Sequence, residues 1–335
     1  MADAGAPPPD PLPPRFQAWF AGRGWAPRAH QLEMVRKGRD GRDALLIAPT
    51  GGGKTLAGFL PTLIELADRP PGNAPRGLHT IYISPLKALA VDVERNLGKP
   101  IAEMGLSIVA ESRTGDTGIA RRQRQRVKPP DILLTTPEQL ALLCAWEGAR
   151  LYFEDLRCVI LDEIHTLHAS KRGDLLALDL ARLQVLAPAM RRVGLSATVD
   201  DPQVIKNWMA SHRASPSPAS PGGEENVPHG PVAIDLVRGP PGAEPIVDVL
   251  LSEGKVPWSG HTAQHAMAEV YEVIKKARIA LVFVNTRFQA EFAFQELWKL
   301  NEDGLPIALH HGSLAAEQRR KVEAAMARGE LRAVV

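Results

Sequence analysis

Residues 48–55, with the sequence APTGGGKT, have the composition of a phosphate-binding loop. They lie between an apolar run that predicts a strand and one that predicts a helix, so backbone amides and the helix dipole would face an anion. The Lys54 ammonium would contact the β- and γ-phosphates of a nucleotide, and the Thr55 hydroxyl would bind Mg²⁺. Ala48 replaces the first glycine of the general pattern, so the motif needs support from elsewhere. The residues predicted to hold the phosphates are Thr50, Gly51, Gly52, Gly53, Lys54 and Thr55.

A pair of carboxylates, Asp162 and Glu163, follows the apolar run CVIL. A buried strand of this composition would deliver Asp162 to the carboxyl edge of a parallel sheet, beside the phosphate-binding loop. There Asp162 would hold Mg²⁺ through water, and Glu163 would orient and deprotonate an attacking water, while Lys54 and the metal stabilise charge. Two solvated acids after a strand are common for an isolated LDE, but the phosphate-loop motif favours the catalytic interpretation.

Three polar residues are predicted to couple this acidic pair to the rest of the chain. His165 follows the two acids directly, and that position favours a functional imidazole over a packed core histidine. The segment GLSATV closes the next predicted strand, and its Ser196 and Thr198 hydroxyls would hydrogen-bond back to the acids. As a three-residue string, SAT is not specific by itself.

Short β-branched or leucine-rich runs alternate with longer helical patterns from residue 44 onward. This alternation is typical of βαβ units around a parallel sheet, so it predicts an α/β fold. The strands predicted before residue 211 are 44–48, 80–84, 107–111, 132–136, 158–161 and 192–196. The strands predicted after residue 231 are 232–237, 279–285, 306–310 and 331–335.

The segment 211–231 is too rich in Ser, Pro and Gly to form a packed core. We interpret it as a linker or surface insertion, which as a free coil would span roughly 25 Å; a loop within one domain is the alternative. Residues 1–15 are predicted to be disordered, domain 1 to cover 16–210 and domain 2 to cover 232–335. The last predicted strand ends the sequence, so the second sheet is expected to be incomplete.

Composition argues against several other classes of protein. A formal net charge of +2 means that nucleic-acid contacts would come from local basic clusters and backbone amides. Cys144 and Cys158 lack CxxC spacing, which argues against a disulfide framework or a zinc site. The proline-rich start lacks the apolar core of a signal peptide, and no apolar run approaches about 18 residues. We therefore predict a soluble, cytoplasmic protein that does not associate with membranes.

The motif order resembles that of superfamily 2 helicases of the DExH type. The shared motifs, in order, are APTGGGKT, SPLKAL, TTPEQL, DEIH and SAT. Further segments are similar to the large helicase-related (Lhr) group, specifically to its DNA-ligase-associated branch. These segments are RTGDT (113–117), PWSGH (257–261), VFVNTR (282–287), ALHHGSL (308–314) and EQRRKVEAAMARGELRAVV (317–335). The resemblance covers nearly everything after residue 16.

This resemblance implies a RecA-like P-loop NTPase domain followed by an incomplete second RecA-like domain, with ATP and Mg²⁺ between them. Gln31 matches the glutamine with which the family recognises adenine; a polar residue at a helix start is the alternative. The family's strand-contacting segments would offer amides and hydroxyls to phosphates. The matching residues are Pro85, Lys87, Arg113, Thr114, Gly115, Thr136, Asn285, Thr286, Arg287, His310, His311 and Gly312. For each of them, a solvated loop residue is the alternative.

Two further segments invite a nucleic-acid interpretation. The basic run 120–128 carries Arg and Gln at spacings that more often form a solvated helix face, so it is left out of the predicted site. Trp258 in the PWSGH motif would stack on a base, a contact that contributes roughly 1–3 kcal/mol.

The implied activity is that of an ATP-dependent DNA helicase, moving 3′ to 5′ on single-stranded or partly duplex DNA in DNA repair. A monomer with a functional link to a DNA ligase and a nuclease is implied as well. The family's arginine-bearing segment does not occur in the sequence, so the chain is interpreted as a fragment. Because such an arginine contributes about 10³–10⁵ in turnover, a nucleotide- and strand-binding module without turnover is one alternative. An RNA helicase is another, since backbone contacts do not identify the sugar.

Overall fold

The computed structural model describes residues 11–69, 77–197, 199–210, 232–242, 244–251 and 263–335. The chain divides into two compact units, Met1–Ala243 and Glu244–Val335. The predictions for residues 1–10, for the linker 211–231, for Thr198 and for PWSGH lie outside the described residues.

The first unit contains a seven-stranded sheet in the order β3-β4-β2-β5-β6-β1-β7. Every neighbouring pair of strands in this sheet is parallel. The strands are β1 (Asp43–Ile47), β2 (Thr80–Ile83), β3 (Ala110–Arg113), β4 (Ile132–Thr135), β5 (Cys158–Leu161), β6 (Arg191–Ser196) and β7 (Ile234–Arg238). The predicted α/β fold with a parallel sheet is confirmed. Because all the strands run the same way, the phosphate-loop and DEIH motifs leave the sheet at the same edge.

Helices cover both faces of this sheet. The helices of the first unit are α1 (Pro14–Gly22), α2 (Ala29–Arg39), α3 (Lys54–Ala67), α4 (Lys87–Glu103), α5 (Ile119–Val127), α6 (Pro137–Cys144), α7 (Ala149–Tyr152), α8 (Ile164–Leu167), α9 (Lys171–Leu186) and α10 (Pro202–Met209). One apolar core joins α1 to α4 with one face of the sheet, and another joins α6 to α10 with the opposite face. Successive residues of the central strands alternate between the two cores, so both faces of the sheet are buried.

The predicted start of domain 2 at residue 232 is wrong, because the strand that follows the linker belongs to the first sheet. β7 pairs in parallel with β1 along its whole length. Its Ile234 and Val237 are buried in the two opposite cores of the first unit. Its Asp235 forms ion pairs with Lys37 at 2.9 Å and with Arg42 at 2.7 Å. A strand that follows residues 211–231 therefore completes the edge of the first unit, and the chain on both sides of those residues belongs to that unit.

The prediction that residues 1–15 are disordered is wrong for residues 11–15. Leu12 is 2% exposed and packs in the core beneath α1. Helix α1 begins at Pro14, where proline fits because the first helical N–H needs no partner. The folded part of the first unit therefore includes the second half of the proline-rich segment.

The second unit contains a three-stranded parallel sheet in the order β8-β10-β9. Its strands are β8 (Ala280–Leu281), β9 (Ile307–Ala308) and β10 (Ala333–Val334), and its helices are α11 (Met267–Lys276), α12 (Arg287–Leu300) and α13 (Ala316–Ala327). Apolar residues of α11 and α12 pack with the sheet in one core. Each of these strands has two residues, so the strands are shorter than predicted. In the described parts of the chain, no helix has the length and apolarity to cross a membrane.

Candidate functional site

The start of α2 anchors the phosphate-binding loop through its carbonyl groups. Three side chains donate hydrogen bonds to three successive glycine carbonyls of the loop. The pairs are Arg28 Nη1 with Gly51 at 3.2 Å, His30 Nε2 with Gly52 at 3.0 Å and Gln31 Nε2 with Gly53 at 3.4 Å. In a trans peptide the N–H points away from the C=O, so the amides of Gly53 and Lys54 face away from α2. The loop is thus held in a conformation that offers amides to an anion at the start of α3.

The backbone conformation of the loop explains why two of its positions are occupied by glycine. Gly51 and Gly53 have φ values of +75°, in the left-handed region that residues with a Cβ rarely adopt. A Cβ on Gly53 would also lie 2.8 Å from the Gln31 amide nitrogen. Lys54 follows as the first residue of α3 and is 8% exposed. The predicted phosphate-binding residues therefore lie together on one turn.

A cavity of about 440 Å³ lies beside this loop. Trp25, Arg28, Gln31 and Gly53 contribute to its wall. The Gln31 side chain also accepts a hydrogen bond from the Arg28 backbone N–H at 2.9 Å, so its amide bridges the cavity wall and the phosphate loop. An amide has further donor and acceptor capacity, so it can contact a base as well. Recognition of adenine by Gln31 stays a prediction.

Because His30 is one of the residues that hold the phosphate-binding loop, we expect the folded chain to lose stability at acid pH. Burial lowers the pKa of His30 from its ordinary value of 6.5, with the nearby Arg28 acting in the same direction. As the pH falls, His30 therefore takes up a proton in the unfolded chain before it does so in the folded chain. The contribution of His30 to the free energy of unfolding is fully present above about pH 6.5 and decreases as the pH drops toward the pKa of the folded state. A His30→Gln variant should lose less stability than the unmodified chain between about pH 7.5 and 5.5 in urea unfolding. Parallel stability curves for the two proteins would contradict this expectation.

Asp162 lies at the carboxyl end of β5 with both carboxylate oxygens held. The Glu163 backbone N–H donates to Asp162 Oδ1 at 2.9 Å, and the Tyr82 hydroxyl donates to Oδ2. Burial raises the pKa of Asp162, and these two hydrogen bonds together with the positive charge of Lys54 oppose that rise. The electrostatic influence of Lys54 on Asp162 links the two motifs across the sheet edge.

Glu163 has a φ of +46°, the left-handed conformation that is costly for a residue with a Cβ. His165 Nδ1 lies 2.8 Å from the Ser196 hydroxyl and 3.5 Å from Glu163 Oε2. The structure thus brings Glu163, His165 and Ser196 together at the ends of β5 and β6, with Ser196 in contact with His165, whereas the sequence predicts a hydrogen bond from Ser196 to the acids. Their role in coupling stays a prediction.

The donors available for a divalent cation are hard oxygens. In the described ranges, no group of three or more His, Cys, Asp or Glu side chains could hold a metal ion. A Mg²⁺ ion that arrives with a nucleotide needs only one or two protein oxygens, because phosphates and water supply the others. The Asp162 carboxylate and the Thr55 hydroxyl, at the first turn of α3, fit such a donor set.

The predicted strand-contacting segments of the first unit meet at the carboxyl ends of β2, β3 and β4. Lys87 Nζ lies 3.1 Å from Asp116 Oδ1, which joins the SPLKAL segment to the RTGDT loop. The Lys87 side chain is exposed. Arg113 is different: it is buried, and its Nη1 donates to the Arg122 carbonyl oxygen at 3.1 Å. The predicted contact of a nucleic acid with the Arg113 side chain therefore does not fit, and this arginine shapes the loop instead.

Arg172, near the start of α9, joins two of these segments. Its Nη1 donates to the Pro85 carbonyl oxygen at 2.8 Å. Its Nε and Nη2 bind the two carboxylate oxygens of Glu138, which follows Thr136 in the TTPEQL segment. The Arg172 guanidinium lowers the pKa of Glu138 to about 2. One side chain thus connects the ends of β2 and β4.

Replacing Arg172 with alanine should weaken binding of an oligo-dT single strand up to about fivefold, because half-exposed ion pairs contribute about 0.2–1 kcal/mol. Fluorescence anisotropy at fixed salt measures the affinity. Arg150→Ala removes an equal charge from an exposed position on α7 and serves as the control. Equal losses in both variants would mean that net charge, and not the link between the segments, sets the affinity.

Five of the six predicted residues of the second unit, all except Gly312, line one cavity of about 400 Å³. Asn285, Thr286 and Arg287 line one part of its wall, and His310 and His311 line another. Thr286 also caps α12, since its hydroxyl accepts a hydrogen bond from the Gln289 N–H at 3.2 Å. The structure therefore groups these residues, although the hydroxyl of Thr286 already has a structural role.

Motif analysis of the sequence did not identify four residues that contact these motifs in the structure. They are Arg28, His30, Tyr82 and Arg172. Arg28 and His30 lie within three residues before Gln31, so their position next to this predicted site residue is a usable signal. Tyr82 and Arg172 lie within an ordinary strand and an ordinary helix, and nothing in their spacing distinguishes them.

Comparison with known proteins agrees with this geometry. A model of the DEAD/DEAH box helicase family matches residues 28–206. The chain is 33% identical, over 97% of its length, to the Lhr helicase/probable uracil glycosylase of Mycolicibacterium smegmatis, of which it covers 23%. It is 35% identical, over 88% of its length, to the ATP-dependent helicase Lhr-Core of Methanothermobacter thermautotrophicus, of which it covers 34%. The chain thus spans about a quarter to a third of these relatives.

Solved structures extend the agreement to three dimensions. The structure of Mycobacterium smegmatis helicase Lhr bound to ssDNA and AMP-PNP matches with a TM-score of 0.73 and 33% identity, covering 97% of this chain and 42% of that one. Helicase MrfA bound to DNA matches with a TM-score of 0.72 at 23% identity, covering 98% of this chain and 45% of that one, a likeness of fold alone. Since the family match covers more than half of the sequence and includes both the phosphate loop and the DEIH strand, the chain belongs to the DEAD/DEAH box helicase family.

Proposed function

We propose that this chain is the nucleotide-dependent motor part of an Lhr-type DNA helicase, which couples hydrolysis of Mg-ATP to movement on single-stranded DNA. The observation that carries the proposal is the common sheet edge at which the anchored phosphate loop meets Asp162 and Glu163. The similar Lhr structure is bound to ssDNA and AMP-PNP, which supports both ligand classes.

The proposed chemistry follows from the positions of the side chains. Bound Mg²⁺ supplies positive charge to the phosphates, and Thr55 and Asp162 would hold it. Lys54 and the amides at the start of α3 bind the phosphates. Glu163 orients the attacking water and accepts its proton. His165 and Ser196 link this acid to β6, whose following residues continue the SAT motif.

We extend the proposal to the finer points that the motifs imply. They are 3′ to 5′ movement, a role in DNA repair within the DNA-ligase-associated branch, a functional link to a ligase and a nuclease, a monomeric state and a cytoplasmic location. The cytoplasmic location rests on the composition of the sequence, and the other points rest on the resemblance of RTGDT, VFVNTR and ALHHGSL to that branch. Unwinding of duplexes with a 3′ or a 5′ single-stranded tail tests the direction.

The deciding experiment measures two quantities on the same protein: binding of a fluorescent ATP analogue with Mg²⁺, and phosphate release from ATP with and without oligo-dT. Binding together with DNA-stimulated release supports the helicase motor. Binding of both ligands without release supports a nucleotide- and strand-binding module. Failure to bind Mg-nucleotide rejects the proposal.

A choice between DNA and RNA needs its own measurement, because phosphate contacts do not distinguish the sugars. Competition between DNA and RNA strands of matched sequence for the labelled oligo-dT gives the preference directly. Equal competition, or preference for RNA, would favour an RNA-remodelling enzyme of the same superfamily.

A further inference from the structure

Tyr82 is a fully buried tyrosine whose hydroxyl ends at the acidic site. It lies on β2, and its ring stacks on Phe59 of α3 with centroids 5.3 Å apart. β2 pairs with β5, so Tyr82 lies opposite Ile160, two residues before Asp162. Side chains two residues apart on a strand share a face, so the Tyr82 phenol extends toward Asp162. Its hydroxyl donates to Asp162 Oδ2.

The two hydrogen bonds to Asp162 together set the orientation of its carboxylate. One donor, the Glu163 N–H, binds Oδ1, and the other, the Tyr82 hydroxyl, binds Oδ2. A carboxylate held at both oxygens cannot rotate without losing a buried hydrogen bond. The ring of Tyr82 is fixed in turn by Phe59 and by the core around it. The orientation of Asp162 therefore depends on β2 as well as on its own strand.

The same strand leads directly to a predicted strand-contacting segment. Ser84 follows Tyr82 by two residues in the chain, and its hydroxyl accepts a hydrogen bond from the Leu86 N–H at 3.4 Å. Leu86 lies between Pro85 and Lys87, both predicted to contact DNA. The strand that carries Tyr82 thus continues through Ser84 into this segment, while the Tyr82 hydroxyl binds Asp162.

We propose that Tyr82 is a positioning residue, which orients the Asp162 carboxylate for Mg-nucleotide and connects it through Ser84 to the Pro85–Lys87 segment. The inference rests on the proposed function, since it assigns Asp162 to the metal. Partners of metal ligands typically change metal affinity or activity by about 10- to 100-fold when they are removed. The Tyr82 hydroxyl belongs to this class of partner.

The test uses Tyr82→Phe, which keeps the stacked ring and removes only the hydroxyl. The probe is a fluorescent ATP analogue titrated at increasing MgCl₂, and the readout is the Mg²⁺ concentration for half-maximal binding. We expect this concentration to rise about tenfold in Tyr82→Phe. Tyr152→Phe makes the same chemical change at a buried tyrosine of the other core and should match the unmodified chain. In an Asp162→Asn background, Tyr82→Phe should cause no further rise.

The outcomes separate this inference from the function on which it rests. If the unmodified chain does not bind Mg-nucleotide, the proposed function fails and the inference fails with it. If the unmodified chain binds and Tyr82→Phe needs no more Mg²⁺ than Tyr152→Phe does, the positioning role alone is rejected. A rise of equal size in the Asp162→Asn background also rejects it, because Tyr82 would then act by another route.

Thermal unfolding of each variant shows whether it is folded. If Tyr82→Phe is not folded, Ser84→Ala decides the question, because it removes the Ser84 hydroxyl through which the proposal connects Tyr82 to the Pro85–Lys87 segment and leaves the tyrosine in place. We expect about a threefold rise in the Mg²⁺ requirement for Ser84→Ala. No rise in that variant would overturn the proposal.

Discussion

Replacing Glu163 with glutamine is expected to lower ATP turnover about 10²- to 10⁴-fold, the usual contribution of a general base. Glutamine keeps the size of the side chain and its ability to orient water, but it cannot accept the proton. Mg-ATP affinity should stay within about twofold, because Glu163 acts on the water and not on the phosphates. Phosphate release with saturating oligo-dT measures turnover, and fluorescence titration measures affinity.

A matched control is Glu147→Gln, which makes the same change at an exposed residue between α6 and α7. It should leave turnover unchanged. If Glu163→Gln also leaves turnover unchanged, the proton acceptor is another group, and the left-handed conformation of Glu163 needs a different explanation.

Replacing Lys54 with alanine should weaken binding of Mg-ATP about 10- to 100-fold, since hydrogen bonds to charged groups contribute about 1.5–3 kcal/mol. The side chain is largely buried at the start of α3, so its charge acts on the phosphates with little screening by water. The loss of its positive charge should also raise the pKa of Asp162 further, because Lys54 opposes the effect of burial there. Titration with the fluorescent ATP analogue measures the loss of nucleotide affinity.

Lys128→Ala removes one positive charge from the exposed end of α5 and is the control for net charge. It should bind Mg-ATP like the unmodified chain. Unchanged affinity in Lys54→Ala would place the triphosphate elsewhere and would remove the main support for the proposed function.

Motif spacing predicted much of the site because its parts are local. A glycine-rich turn between a strand and a helix specifies its own backbone, so the phosphate loop appears where residues 48–55 place it. The acids after CVIL reach the same sheet edge because every strand runs in parallel. The domain boundary was not predictable in this way, since the pairing of β7 with β1 joins residues nearly two hundred positions apart in the sequence. The hydrophobic periodicity and the composition of a segment identify it as a strand, but they do not determine which strand pairs with it.

The amino-acid sequence by itself determined the fold class, the phosphate loop, the acidic pair and the family to which the chain belongs. Only the tertiary structure decided which groups hold these motifs in place. It joined Arg28 and His30 to the loop carbonyls, Tyr82 to Asp162, and Arg172 to two segments at once. It also turned the Arg113 side chain inward. The physical reason is that side-chain hydrogen bonds form between groups brought together by sheet order and helix packing, and these distances are not encoded in local spacing.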